Sequence, residues 1–176
     1  MDADALARLR AAIADATPPG LRAVVLVDGR SGSGKSALAE ALVSEWPQAQ
    51  LVRLDDVYPG WDGLEAGSLQ VAERMLAPST PGWLAWDWAT DTPGEWHDLD
   101  PDRPLVIEGA GALSAANRAR ATFGIWVELD AATRKRRALG RDGETYAPHW
   151  ERWAAQEELF IAREHPRQQA DRVLPG

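Results

Sequence analysis

The sequence predicts a three-layer α/β domain, a five-stranded parallel sheet with helices on both faces. Two observations carry that prediction: short apolar runs alternate with amphipathic stretches, and a glycine-rich loop joins the first run to the helix after it. A chain of 176 residues suits one such domain. Leu6, Leu9 and Ile13 fall on one face of a first helix. Residues 23–28 (AVVLVD) form the first strand, a continuous apolar run of the kind that buried parallel strands show. Leu38, Leu42 and Trp46 mark a second helix, which Pro47 ends. Residues 50–55 (QLVRLD) read as the second strand and residues 64–76 as a third helix. The segment 78–104 is rich in Pro, Gly, Asp and Trp and reads as irregular, too long for a plain connection and so a candidate substrate loop. Residues 104–108 (PLVIE) and 124–129 (GIWVEL) are the third and fourth strands. Asp130 is the expected N-cap of a helix over 131–139, and Trp150, Trp153 and Phe160 line one side of a last long helix. Residues 172–174 close the sheet as its fifth strand.

Composition narrows the function. Cysteine is absent, which excludes disulfides, cysteine-based zinc sites and thiol catalysis. The 19 basic residues against 27 acidic ones give a net charge of -8, the wrong sign for a duplex nucleic-acid binder. No apolar run approaches the length of a membrane span. The first residues are acidic and helical rather than basic and then apolar, so a cytoplasmic protein is expected, a monomer or homodimer whose partner is a small molecule. Nine tryptophans are present, five of them between Trp61 and Trp96, enough to build an aromatic pocket.

Residues 29–36, GRSGSGKS, match the Walker A pattern G-x-x-x-x-G-K-[ST], with a strand before and a helix after. Glycine lets the backbone approach phosphate oxygens, and successive N–H groups at a helix N-terminus supply positive potential. Gly29, Ser31, Gly32, Ser33, Gly34, Lys35, Ser36 and Ala37 are the expected nucleotide-binding residues. Lys35 is one of only two lysines; it would reach the β and γ phosphates, while the Ser36 hydroxyl is a magnesium ligand. ATP with Mg²⁺ is the expected donor, GTP the alternative. A guanine-reading Asn-Lys-x-Asp is missing, since the only asparagine, Asn117, precedes Arg118. No Leu-Ser-Gly-Gly signature occurs either.

Small-molecule kinases remain. They need a hydroxyl-orienting carboxylate, a further magnesium carboxylate and arginines for the transferring charge. Asp55 and Asp56 stand at the expected C-terminal end of the second strand, the edge where parallel sheets bind ligands, with Asp55 favoured over Asp56 as base and magnesium partner. Glu108 ends the third strand and is the other magnesium candidate. Arg134, Arg137 and Arg141 share one helix face beside Arg136, and Asp142-Gly143 then gives a break suited to a lid.

Taken in order, these motifs resemble the uridine kinase-like branch of P-loop kinases, which includes phosphoribulokinase and bacterial pantothenate kinase. Asp55-Asp-Val-Tyr58 is similar to that family's Asp-Ser-Phe-Tyr, which implies Asp55 as catalytic base and Tyr58 in the acceptor site. Trp86-Asp87-Trp88 resembles its Tyr-Asp-Phe segment, and residues 105–109 its strand ending in Glu-Gly. Residues 130–142 look like its lid helix and residues 170–176 its last strand. The resemblance implies strand order 2-3-1-4-5, an acceptor-binding insert over 57–103 and a short lid over 134–147. The family's His and Arg after Tyr-Asp-Phe have no match, since Asp91 and Pro93 lie there.

The reading that results is Mg-ATP-dependent phosphoryl transfer to a hydroxyl of a small metabolite, nucleosides among the candidates. Lys35, Asp55, Arg137 and Arg141 are its catalytic residues, with Arg134 on the nucleotide. Ser36, Asp55 and Glu108 hold the metal, and Asp56, Tyr58, Trp61, Trp86, Asp87 and Trp88 hold the acceptor. His149 is expected to pack rather than to react. Two alternatives stay open: a regulatory ATPase acting through a protein partner, and a nucleoside monophosphate or shikimate-like kinase. Against the latter, Arg74 and Arg103 are the only cationic candidates between residues 54 and 117.

Overall fold

The computed structural model describes residues 2–176, apart from the side chain of Asp142. Helix α1 (Ala3–Ala16) starts at Asp2, whose side chain accepts a hydrogen bond from the Ala5 N–H at 2.7 Å. Strand β1 (Val24–Asp28) follows and is buried along its whole length. After the glycine-rich loop come α2 (Lys35–Ser44) and β2 (Gln50–Arg53). Helix α2 stops short of Pro47, but Trp46 still packs on the core. Helix α3 (Leu64–Gln70) passes into a π-helical turn, Val71–Met75, where an unbroken helix is expected from sequence. Strands β3 (Gly82–Asp87) and β4 (Thr92–Asp98) come next, then β5 (Leu105–Glu108), α4 (Ala115–Arg118) and β6 (Phe123–Glu128). Helix α5 (Ala131–Tyr146), α6 (Trp150–Glu164), α7 (Pro166–Gln169) and β7 (Arg172–Pro175) complete the chain.

Five strands form one parallel sheet in the order β2-β5-β1-β6-β7. Numbered among themselves, these strands run 2-3-1-4-5, the order that the resemblance implies. Alternation along the strands separates two cores. Val25 and Val27 of β1, Val106 of β5 and Ile125 of β6 meet Leu6, Leu9 and Ile13 of α1 and Leu38 and Leu42 of α2. Leu26, Leu105 and Ile107 face the other way, toward α3, the π-helical turn and the aromatic side of α6. The sheet is thus the middle of three layers, and its C-terminal edge carries the ends of β1, β2 and β5 side by side.

The segment 78–104 corrects the sequence reading. It holds a two-stranded antiparallel hairpin, β3 with β4, rather than an irregular loop. The turn residues lie mostly at its ends and tip, where Asp91 adopts φ 54°. Strand β4 is exposed throughout, so neither an apolar run nor an alternation marks it in sequence. Cross-strand rings hold the pair together: Trp83 stacks on His97 at 4.3 Å. The Trp96 ring lies over Gly82, where a Cβ would come within 2.4 Å of it.

Helix α5 runs past the expected 131–139 to Tyr146, behind its N-cap Asp130, which accepts from the Thr133 N–H at 2.9 Å. The expected break appears at Gly143, with non-helical φ 53° and ψ -134°. Of the Asp142-Gly143 pair, the Asp142 side chain lies outside the described residues. No helix among the described residues is long and apolar enough to cross a membrane.

Candidate active site

The loop over residues 29–36 bends from the buried end of β1 into the first turn of α2. Gly34 is the N-cap of α2 in the left-handed region, at φ 98°. Gly32, at φ 79°, lies so close under α5 that a Cβ there would meet the Arg134 carbonyl oxygen at 2.2 Å. Lys35 opens α2 and is 7% exposed, so its ammonium is held against the sheet edge rather than in solvent. Ser36 is half-buried beside it, Ala37 is exposed, and the buried Ser33 hydroxyl has no hydrogen-bond partner.

Two carboxylates at the sheet edge are fully buried. Asp28 ends β1; its Oδ1 accepts from the Gly29 N–H at 2.6 Å and the Gly111 N–H at 3.1 Å, and its Oδ2 from the Leu113 N–H at 2.8 Å. Burial pushes its pKa up to about 7, against those three donors and the Lys35 charge. Glu108 ends β5 at 1% exposure, and neither carboxylate oxygen has a hydrogen-bond partner. Burial raises its pKa as well; the Lys35 ammonium and the Ser36 hydroxyl oppose that rise, and Asp55 adds to it. The Arg53 Nε stands 4.0 Å from Glu108 Oε1.

A buried carboxylate with no close hydrogen bond to either oxygen, next to a lysine and a serine hydroxyl, fits a magnesium ion. Among the described residues no group of three His, Asp or Glu side chains converges into a self-sufficient metal site.

Beside the loop lies a cavity of about 510 Å³. Ser31 of the phosphate loop and Asp55 form part of its wall, with Arg141 and Thr145 from α5. The remaining lining is aromatic: Tyr58, Trp61, Trp88, Tyr146 and Trp153. Trp61 is the centre of this cluster. It stacks on His149 at 4.2 Å and on Tyr146 at 5.5 Å, with Trp88 tilted against it at 5.1 Å and Trp153 edge-on at 6.5 Å. His149 therefore packs, as expected from sequence. The Tyr58 hydroxyl donates to the Ala110 carbonyl at 2.8 Å, and its ring meets Trp153 edge to face at 4.8 Å.

Asp55 and Asp56 do not end β2, as the sequence reading has it. The strand stops at Arg53, and both residues sit in a 3₁₀ turn, Leu54–Asp56. That turn places Asp55 in the cavity wall and receives the Trp88 indole N–H on the Asp55 carbonyl at 2.8 Å. Asp56 is not among the cavity residues. Burial and the neighbouring Asp55 raise its pKa, and Arg53 and His97 oppose them.

Neither a family model nor a curated protein matches this chain. Solved structures do. A possible uridine kinase from Bacillus stearothermophilus is 20% identical over 97% of each chain, with a TM-score of 0.67. A protein provisionally named a fructose transport system kinase, from Silicibacter sp. TM1040, is 21% identical over 97% of this chain and 98% of its own, with a TM-score of 0.66. The chain shares its fold, a five-stranded parallel sheet between helical layers, with both.

Within this fold the sequence-predicted residues divide. Ser31, Asp55, Tyr58, Trp61, Trp88 and Arg141 share the cavity. Arg137 stands over the loop, with a guanidinium nitrogen 3.9 Å from the Cβ position of Gly34. Arg134 is 5% exposed and ties α5 to the loop, donating to the Leu129 and Ser31 carbonyls at 3.2 Å each. Trp86 is outside the cavity wall, with its indole N–H buried and unpartnered. The Asp87 carboxylate caps the hairpin turn, accepting from the Ala89 N–H at 2.9 Å and the Thr90 N–H at 3.3 Å. Sequence reasoning missed Asp28, Glu157, Thr145 and the pocket roles of Tyr146 and Trp153. The signal for Asp28 is a carboxylate that ends a buried strand directly before the phosphate loop.

Proposed function

We propose that this protein transfers the γ-phosphoryl group of MgATP to a hydroxyl of a small, uncharged metabolite. The single observation that carries the reading is the shared wall: Ser31 of the phosphate loop and Asp55 border the same aromatic cavity. Donor loop and acceptor space are then adjacent, as in-line transfer requires.

MgATP, when bound, supplies the phosphoryl group and the charge-neutralising cation. The amides of residues 32–36 and Lys35 hold its phosphates, and Ser36 and Glu108 hold the metal, directly or through water. Asp55 orients the acceptor hydroxyl and takes its proton. The hydroxyl oxygen bonds to the γ-phosphorus as the bond to the bridging oxygen breaks, and ADP leaves with that electron pair. Arg137 and Arg141, carried on a lid over 134–147, attend the transferring charge. Arg134 supports the loop from its other side.

The insert over 57–103 supplies Tyr58, Trp61 and Trp88 to the acceptor. Aromatic walls with Arg141 as the one cation among the described lining residues suit a planar or apolar moiety carrying a free hydroxyl, which keeps nucleosides among the candidates. The test is ADP release from MgATP against pooled nucleosides, sugars, vitamins and polyols, run beside Asp55→Asn. A pool that raises the rate, with the increment abolished in the variant, supports the reading. A slow background that no pool raises and the variant does not change overturns it.

A further inference from the structure

Helix α6 turns Trp150, Trp153 and Phe160 toward the core, and Glu157 stands in the same seam at 3% exposure. A carboxylate there costs several kcal/mol unless it is partnered. Both of its partners belong to the phosphate loop. Oε1 accepts from the Ser31 N–H at 2.7 Å, and Oε2 from the Arg30 Nε at 3.0 Å. Arg30 reaches further along α6, to the Ala154 carbonyl and to Glu158, at 3.4 Å each.

The other side of the same loop segment is held by α5. Arg134 donates to the Ser31 carbonyl at 3.2 Å, and its backbone lies against Gly32. Residues 30–32 are therefore gripped at an N–H by α6 and at a C=O by α5. These two helices also build the cavity. Trp153 lies one helical turn before Glu157, and Arg141 and Tyr146 come from α5.

We propose that Glu157 is a positioning residue for phosphoryl transfer, fixing Ser31 so that the phosphate loop keeps its register against the acceptor cavity. The assignment rests on the kinase reading above. A glycine-rich loop is costly to order, and a hydrogen bond to one of its amides from a packed helix removes part of that cost before the nucleotide arrives. Stability alone does not call for a carboxylate here. An apolar side chain of similar volume would fill the seam without desolvating a charge, an exchange that is often neutral or stabilising.

The experiment is calorimetric titration of MgATP into the wild type, Glu157→Leu, Glu157→Asp and Glu157→Gln, with thermal unfolding of each protein alone. Glu157→Leu is expected to unfold at or above the wild-type temperature yet bind MgATP about tenfold more weakly, the scale at which supporting residues act on a bound group. Glu157→Asp keeps the charge but is shorter by one methylene, and is expected to weaken binding similarly. Glu157→Gln keeps an oxygen for the Ser31 N–H and is expected to stay within about threefold. If the leucine variant fails to fold, the Asp and Gln pair still decides. Wild-type affinity in Glu157→Leu overturns the assignment, as does an order in which Asp binds like wild type and Gln does not. A wild-type protein that binds no MgATP overturns the kinase reading and this assignment with it.

Discussion

In the proposed reaction Lys35 and Asp55 bear on different steps, and single substitutions separate them. Lys35→Ala removes the buried ammonium beside Asp28 and Glu108. It is expected to weaken MgATP binding on the order of 100-fold with the far-UV circular dichroism unchanged, checked by calorimetry. Asp55→Asn lies in the cavity wall instead. It is expected to hold MgATP within about threefold while acceptor-dependent turnover falls by about 10²–10⁴, the range for loss of a general base. The loop over residues 29–36 and the place of Glu108 at a strand end were readable from sequence, the first from residue types at fixed spacing and the second from the apolar run that Glu108 closes. Asp28 and Glu157 were not, since a lone carboxylate in sequence looks the same whether it is solvated or buried against backbone amides. Glu157 left only a trace, an acidic residue inside the seam of Trp150, Trp153 and Phe160.

Elements differ in how openly the sequence announces them. Strands β1 and β5 are short apolar runs bounded by polar or turn residues, and both appear within a residue of their expected limits. The β3–β4 hairpin was hidden because β4 is exposed and is held by pairing and ring stacking rather than by burial. The turn after β2 was hidden because Leu54 continues an apolar pattern that the backbone abandons at Arg53. The aromatic cluster joins elements far apart in sequence: Trp61 before α3, Trp88 at the hairpin, and Tyr146 and His149 after the Gly143 break. Trp61→Ala is therefore expected to raise the KM of the acceptor about tenfold or more and leave MgATP affinity near that of wild type, read from steady-state kinetics beside calorimetry. Gly143 has open space around it but holds a backbone conformation that side chains rarely adopt. Gly143→Ala is expected to cost about 1–3 kcal/mol in urea unfolding, through backbone strain rather than a clash.

At the scale of the whole molecule, the sheet edge that builds the site also sets the response to pH. Asp28, Glu108 and Asp56 are all held above their ordinary values, chiefly by burial. The folded chain then binds more protons than the unfolded chain between about pH 4 and the folded values, which for Asp28 means about 7. The stability these groups contribute is full below the ordinary carboxylate range and is lost as the pH rises through their folded values. Urea midpoints of the wild type are expected to fall from pH 5 to pH 7.5, and Asp28→Asn to show a shallower slope. A protein whose midpoint rises across that range would contradict the burial assigned to these carboxylates.

The same edge holds the loop over residues 29–36, Glu108 and the aromatic cavity together, and the central proposal is that they cooperate in phosphoryl transfer. The most direct measurement is ³¹P NMR of the protein with MgATP and the compound pool that most stimulates ADP release. Phosphoryl transfer to a hydroxyl predicts a new phosphate monoester resonance that grows in step with ADP and is absent with Asp55→Asn. Growth of inorganic phosphate alone, with no monoester at any acceptor concentration, would contradict it.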